Sequence, residues 1–253
     1  MTVKIFTIFI VTNALLEIEM DLKKIKEEAR RTALEKKYPY RIVFLSRISP
    51  YVTYLFAKTS VTPNQLTLLG FVFAMLGAIS LSGPRPLDWI VGWLLLQVYL
   101  ILDCCDGELA RIKGMETRFG VFIDNFLHPI SNALVVIGVG VGCYQAYNSP
   151  SMLFLTAATS AVTVALSLSR SNMLLLARNC GLPTESKGRH PLLWLFLSPG
   201  GFFHPILLLA LAEISIPMAP FRMIYIPSVL VSGIGRLMIR VVSFYRGLGD
   251  ASN

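Results

Sequence analysis

Long stretches without charge constrain this chain more than any other feature. No Asp, Glu, Lys or Arg occurs from Thr59 to Pro84, or from Pro191 to Ala212. Between Arg118 and Arg170 the only such residue is Asp124. An α-helix rises about 1.5 Å per residue, so roughly 20 apolar residues cross the ~30 Å hydrocarbon layer of a bilayer. Runs this long and this numerous exceed what the buried helices of one water-soluble core require. Composition agrees, with 54% of the 253 residues hydrophobic and only 15% charged, against roughly 25% charged in soluble domains. A disordered chain and a nucleic-acid scaffold are excluded, and a soluble two-domain enzyme would need more polar surface.

The pattern predicts an all-α fold, a polytopic membrane helix bundle of about six transmembrane helices. The spans fall near 63–82, 89–109, 119–144, 150–175, 202–218 and 223–243, punctuated by clusters such as Ser82-Gly83-Pro84-Arg85-Pro86. Arg111, Lys113 and Arg118, then Arg178, Lys187 and Arg189, then Arg240 and Arg246 fall on one side, whereas the other side carries only Arg85 and Arg222. The positive-inside rule therefore places both termini, and the loops on the basic side, in the cytoplasm. Arg236 lies within the last span, where it snorkels or faces the bundle; Glu213, in the fifth, pairs with it or sits near the outer boundary.

Three parts follow: an N-terminal cytoplasmic or interfacial segment (1–58), a membrane domain (59–245) and a short cytoplasmic tail (246–253). The stretch before Val61 holds nearly half of the chain's lysines and arginines. Glu19 to Lys37 reads as an amphipathic helix with Leu22, Ile25 and Ala29 along one side, suited to an anionic leaflet or to plain solvation. Ile5 to Leu16 is uncharged but short for a span, and it lacks the small-residue cleavage site of a signal peptide. Cys104, Cys105, Cys143 and Cys180 show no CxxC pattern and are expected as free thiols.

Charge returns where lipid should discourage it. Ten charged residues lie between Lys58 and Arg170, and eight of them crowd the stretch from Asp103 to His128. Asp103 and Asp106 are three apart on one helix face, with Gly107, Ala110 and Arg111 at its next positions; Gly120, Asp124 and His128 share a face of the following span. A short connection makes the two helices antiparallel neighbours with these faces opposed. Three converging carboxylates repel one another, and one or two divalent cations relieve that repulsion. Oxygen ligands suit Mg²⁺ or Mn²⁺, and His128 is compatible with Mn²⁺. The small residues either let helices pack closely or let a flat ligand reach the backbone. Oxygen-bound metal beside arginine is a means of activating a phosphoanhydride at the membrane surface. Glu108 falls off this face and is expected as a solvent-facing residue at the helix end.

At these residues the sequence resembles the CDP-alcohol phosphatidyltransferase family, whose signature is Asp-x2-Asp-Gly-x2-Ala-Arg-x8-Gly-x3-Asp-x3-Asp. Asp103, Asp106, Gly107, Ala110, Arg111, Gly120 and Asp124 match it with every spacing kept, and His128 stands at the final Asp. The stretch Val61-Thr62-Pro63-Asn64-Gln65-Leu66-Thr67 also resembles the family's entry to its first span. The resemblance implies transfer of a substituted phosphate group from a CDP-linked lipid or CDP-alcohol donor to an alcohol acceptor, with release of CMP. It implies that Asp103, Asp106 and Asp124 hold metal and pyrophosphate, that Gly107, Ala110 and Gly120 border the cytidine, and that Arg111 anchors the nucleotide. Asn64 and Thr67 would belong to the same rim, and a homodimer would be the assembly. His128 would be the general base or a metal ligand; it can take a proton but cannot supply a carboxylate's charge or bridge two ions. Arg170, Lys113 and Arg118 are candidates for the acceptor site, with membrane-edge anchoring as the plain alternative. A catalytically inactive scaffold of the same fold and an ion or solute transporter are the competing readings.

Overall fold

The computed structural model describes residues 22–32, 34, 44–180, 203–216 and 220–251, with the backbone alone at 170–180, 204, 240 and 243–251. The described residues form helices and no strand. The helices are α1 (22–32), α2 (Ser46–Ala57), α3 (Pro63–Leu81), α4 (Pro86–Lys113), α5 (Arg118–Tyr147), α6 (Ser151–Cys180), α7 (His204–Ser215) and α8 (Tyr225–Ala251). A 3₁₀ turn, Phe221–Ile224, leads into α8. The expected span near 202–218 corresponds to α7, whose 12 residues extend only about 18 Å. Five helical segments are long and apolar enough to cross a membrane: Pro63–Leu81, Pro86–Lys113, Arg118–Tyr147, Ser151–Ser169 and Phe221–Ile239. The uncharged run from Ile5 to Leu16, and Lys187 and Arg189, lie outside the described residues.

Local chemistry sets the helix ends. Thr62 caps α3 in a capping box: Gln65 N donates to its hydroxyl, Thr62 N donates to Gln65 Oε1 at 2.9 Å, and Pro63 takes the first helical position. At the start of α4, Arg85 N donates to Asp88 Oδ2 at 3.0 Å. That helix ends at Gly114, whose φ of 62° is the left-handed conformation glycine adopts without steric cost. Thr117 then caps α5 by accepting from Gly120 N at 3.0 Å. The turn between Gly114 and Thr117 returns the chain antiparallel to α4.

Packing of the bundle depends on close helix approach. A Cβ at Gly138 on α5 would collide with the backbone carbonyl of Ala78 on α3, and one at Gly142 with that of Leu81. Leu81, Trp89, Leu96, Tyr99, Val135, Val139, Ile206 and Tyr225 form a continuous apolar core drawn from α3, α4, α5, α7 and α8. Large apolar side chains such as Ile79, Val121, Phe154 and Val231 point outward, as expected where the surrounding solvent is lipid.

Three expectations change here. Glu108 is not a solvent residue: it is 2% exposed, and its carboxyl oxygens accept from Ser49 Oγ at 2.6 Å and Thr53 Oγ1 at 2.7 Å. It points two residues round α4 from Asp106, where α2 packs and its hydroxyls satisfy the buried group. The apolar stripe of α1 is also closed off within the protein, with Ile25 and Ala29 each 2% exposed. Glu213 pairs with Arg222, just before α8, rather than with Arg236 within it.

Candidate active site

Three helix ends meet at one end of the bundle: the first turns of α3, the last turns of α4 and the first turns of α5. Between them is a narrow cleft whose polar lining comprises Thr67, Tyr99, Asp103, Asp106, Asp124, His128 and Ser131, with Gly70, Phe71 and Leu127 completing it. The acidic faces of α4 and α5 thus oppose each other across one space.

Asp106 is buried at 9% exposure. Its Oδ2 accepts from Thr67 Oγ1 at 2.6 Å, and its Oδ1 accepts from Gly107 N at 2.5 Å. Each oxygen keeps a further lone pair. Asp103 Oδ1 lies 4.0 Å from His128 Nδ1, and the Tyr99 hydroxyl lies 2.7 Å from the same nitrogen. Asp124 is exposed at the cleft mouth. Pro129, immediately after His128, has no N–H to offer the carbonyl of Asn125, so the helical ladder is interrupted beside the site.

Would these residues suit a divalent cation? Their donor chemistry fits, because three carboxylates line one cleft and supply only hard oxygen ligands. Among the described residues, however, no three Asp, Glu, His or Cys side chains close on a common point. They share the cleft without converging.

The remaining candidates are placed around its rim. Arg111 Nε lies 2.5 Å from Glu28 Oε1 on α1. Its Nη1 comes within 3.3 Å of where a Cβ on Gly107 would stand, so the glycine leaves room for the guanidinium. Gly120 serves Asn64 in the same way, since an added Cβ would be 2.9 Å from Asn64 Oδ1. Ala110 is half-buried on the same stretch of α4. Lys113 Nζ donates to three backbone carbonyls, those of Phe56 at 3.4 Å, Thr59 at 2.7 Å and Val61 at 3.0 Å. It braces the α2–α3 connection with all three of its protons. Arg118 is exposed at the start of α5, away from the cleft lining. Arg170 lies on the α6 backbone, and its side chain is outside the described residues.

Two cleft residues, Tyr99 and Ser131, escape the sequence reading. The signal is there: Tyr99 precedes Asp103 by four, and Ser131 follows His128 by three, so each continues an acidic face already identified.

Fold and cleft together define a polytopic helical membrane protein with carboxylates and an imidazole gathered at one end of its bundle. The chain belongs to the CDP-alcohol phosphatidyltransferase family, whose model matches residues 60–224. It is 34% identical over 86 residues to archaetidylinositol phosphate synthase of Pyrococcus horikoshii, covering 34% of this chain and 44% of that one. The match thus spans less than half the length of that relative. Phosphatidylinositol phosphate synthase of Mycobacterium tuberculosis has the same fold. Its structure with CDP-DAG bound gives a TM-score of 0.57 at 18% identity, covering 77% of this chain and 92% of that one. Its complex with manganese and citrate gives 0.56 at 19% identity, covering 78% and 89%.

Proposed function

We propose that this protein transfers a substituted phosphate group from a CDP-linked lipid or alcohol to an alcohol acceptor and releases CMP. The observation that carries this reading is the single cleft lined by Asp103, Asp106, Asp124 and His128, in a member of the CDP-alcohol phosphatidyltransferase family. Asp103, Asp106 and Asp124 would hold Mg²⁺ or Mn²⁺, which when bound screens the pyrophosphate and polarises its phosphoryl oxygens. The manganese complex of the mycobacterial structural relative supports a divalent cation. Gly107, Ala110 and Gly120 admit the nucleotide to the backbone, Arg111 and Asn64 border it, and Thr67 orients Asp106.

His128 takes the proton of the acceptor hydroxyl as its oxygen attacks the phosphorus that carries the lipid or alcohol. The bond from that phosphorus to the bridging oxygen breaks, and CMP leaves. Arg170 and Arg118 remain the residues proposed for acceptor phosphate, whereas Lys113 is engaged by backbone carbonyls. The names of the Pyrococcus and mycobacterial relatives make a phosphorylated inositol the first acceptor to test. The cleft faces the cytoplasm, on the positive-inside argument, and the assembly is a homodimer, as the family resemblance implies.

A second reading rests on His128 at the last signature position: a member of the family that keeps the fold as a scaffold without transfer. Protein reconstituted in lipid, given CDP-diacylglycerol, Mg²⁺ or Mn²⁺ and a panel of alcohols, should release CMP in a metal-dependent way. Asp106→Asn should abolish that release. CDP-lipid binding with no CMP from any acceptor would instead support the scaffold.

A further inference from the structure

Arg111 is assigned to the nucleotide, yet a carboxylate of the same chain already holds it. Glu28 Oε1 on α1 lies 2.5 Å from Arg111 Nε. Nε and Nη2 form the side of a guanidinium that grips an oxyanion with two parallel N–H groups. Here both atoms are buried and without a hydrogen-bond partner among the described residues, so the Glu28 contact is one of charge rather than an aligned hydrogen bond. Nη1 lies on the Gly107 side. A phosphate approaching Arg111 therefore finds its two-pronged edge covered while α1 is docked.

The docked helix is able to leave. It has 11 residues, short of the roughly 12–15 that an isolated helix needs in water, so packing holds it in place. Ile25, Ala29 and Thr32 supply its buried side, and Glu28 divides its charge between Arg111 and Arg31. Its exposed face carries Lys23, Lys24, Lys26, Arg30 and Arg31 against Glu27. A helix with an apolar stripe and a basic face also suits an anionic leaflet, with the stripe in the interfacial layer and the cations among the headgroups.

We propose that α1 is a self-inhibitory latch: when docked, its Glu28 occupies the phosphate-gripping edge of Arg111, and anionic lipid headgroups draw the helix away to open the nucleotide site. This inference rests on the reading of Arg111 as a nucleotide anchor. The exchange favours the nucleotide once α1 is released, because a pyrophosphate brings more negative charge than one carboxylate and can align with both N–H groups.

The test uses full-length protein in bilayer nanodiscs, with CDP and Mg²⁺ as the probe. In phosphatidylcholine alone, Glu28→Gln should bind CDP about tenfold more tightly than wild type, the gain expected on removing a latch closed about nine-tenths of the time. Saturating CDP should lower the protection of wild-type α1 amides against hydrogen exchange. Adding phosphatidylglycerol should tighten CDP binding by wild type but not by Glu28→Gln. That gain runs against simple electrostatics, since an anionic surface repels an anionic nucleotide. Combined Lys23→Gln, Lys24→Gln and Arg30→Gln should abolish the lipid effect. Ile25→Ser, which unseats α1 without touching the ion pair, should also tighten binding in phosphatidylcholine and serves if the glutamine variant does not fold. CDP binding that is unchanged or weaker in Glu28→Gln, that protects α1 further, or that ignores phosphatidylglycerol in wild type would overturn the proposal, as would its absence from both proteins. CDP bound with no CMP release from CDP-diacylglycerol and any acceptor would defeat the transferase reading separately, because the binding measurement needs no turnover.

Discussion

Arg111 on α4 and Glu28 on α1 form an ion pair, with Nε 2.5 Å from Oε1, that ties the helix before the bundle to the rim of the cleft. Glu28 also pairs with Arg31 at 3.0 Å. Partial burial raises the Glu28 pKa, but the hydrogen bond from Arg31 and the charge of Arg111 outweigh it and hold the carboxyl below its ordinary value of 4.5. A depressed folded-state pKa means that the contact contributes fully above the unfolded value and is lost as pH falls through the lowered one. The protection of α1 amides, relative to their intrinsic exchange rates at each pH, should therefore be high at neutral pH and fall on acidification below the ordinary carboxylate range. Glu28→Gln should produce the same loss of protection at neutral pH. Equal exchange in the two proteins would show that the pair does not hold α1.

Thr67 and Asp106 give a second prediction. Thr67→Val removes the donor to Asp106 Oδ2 while keeping the side chain's shape. A hydrogen bond to a charged group contributes about 1.5–3 kcal/mol, so CMP release should fall roughly 10- to 100-fold, and Thr67→Ser should restore most of it. Unaltered turnover in the valine variant would remove Thr67 from the site.

At the opposite end of the bundle, Arg222 is 2% exposed and pairs bidentately with Glu213, Nε to Oε2 at 2.7 Å and Nη2 to Oε1 at 2.6 Å. Tyr147 donates to Glu213 Oε2 at 2.5 Å, and Arg222 Nη2 reaches Pro84 O at 2.8 Å. Removing one partner leaves the other charge buried, which costs about 3–5 kcal/mol. Arg222→Met alone should sharply lower the thermal midpoint in detergent, and adding Glu213→Leu should recover part of the loss. A double variant no better than the single would argue against coupling of the pair.

Helix approach can be tested at Gly138, where alanine would collide with Ala78 O, whereas alanine at Gly235 would meet nothing within 4 Å. Gly138→Ala should destabilise by about 1–3 kcal/mol. Gly235→Ala should be neutral or add about 0.5–1 kcal/mol from helix propensity. Similar thermal midpoints for both would contradict the close α3–α5 contact.

The acidic faces are legible in the sequence because helical spacing alone puts Asp103 with Asp106 and Asp124 with His128; that the faces meet across one cleft is decided by α3, against which both α4 and α5 pack, rather than by direct packing of α4 on α5. The charge-free runs are legible for a related reason: lipid imposes one simple rule on everything it touches. Glu108 is misread from spacing because its partners, Ser49 and Thr53, lie far back in the chain on α2, in the segment that composition places outside the bundle. Glu213 is read against Arg236 because both lie within expected spans, whereas Arg222 reads as a loop residue and only packing brings it to the carboxylate. Lys113 reads as one more basic residue at a membrane edge, and only the fold gathers three carbonyls around its ammonium.

Helicity, membrane residence and an acidic signature at one end of the spans follow from periodicity and local composition, so the amino-acid order is enough to establish them. Which groups those side chains meet is settled by tertiary packing: Thr67 on Asp106, Glu28 on Arg111, Tyr99 on His128. Each of these contacts joins helices whose relative rotation and depth come from close approaches such as Gly138 against Ala78. That packing depends on the shapes of many side chains together, which no single helix's spacing encodes.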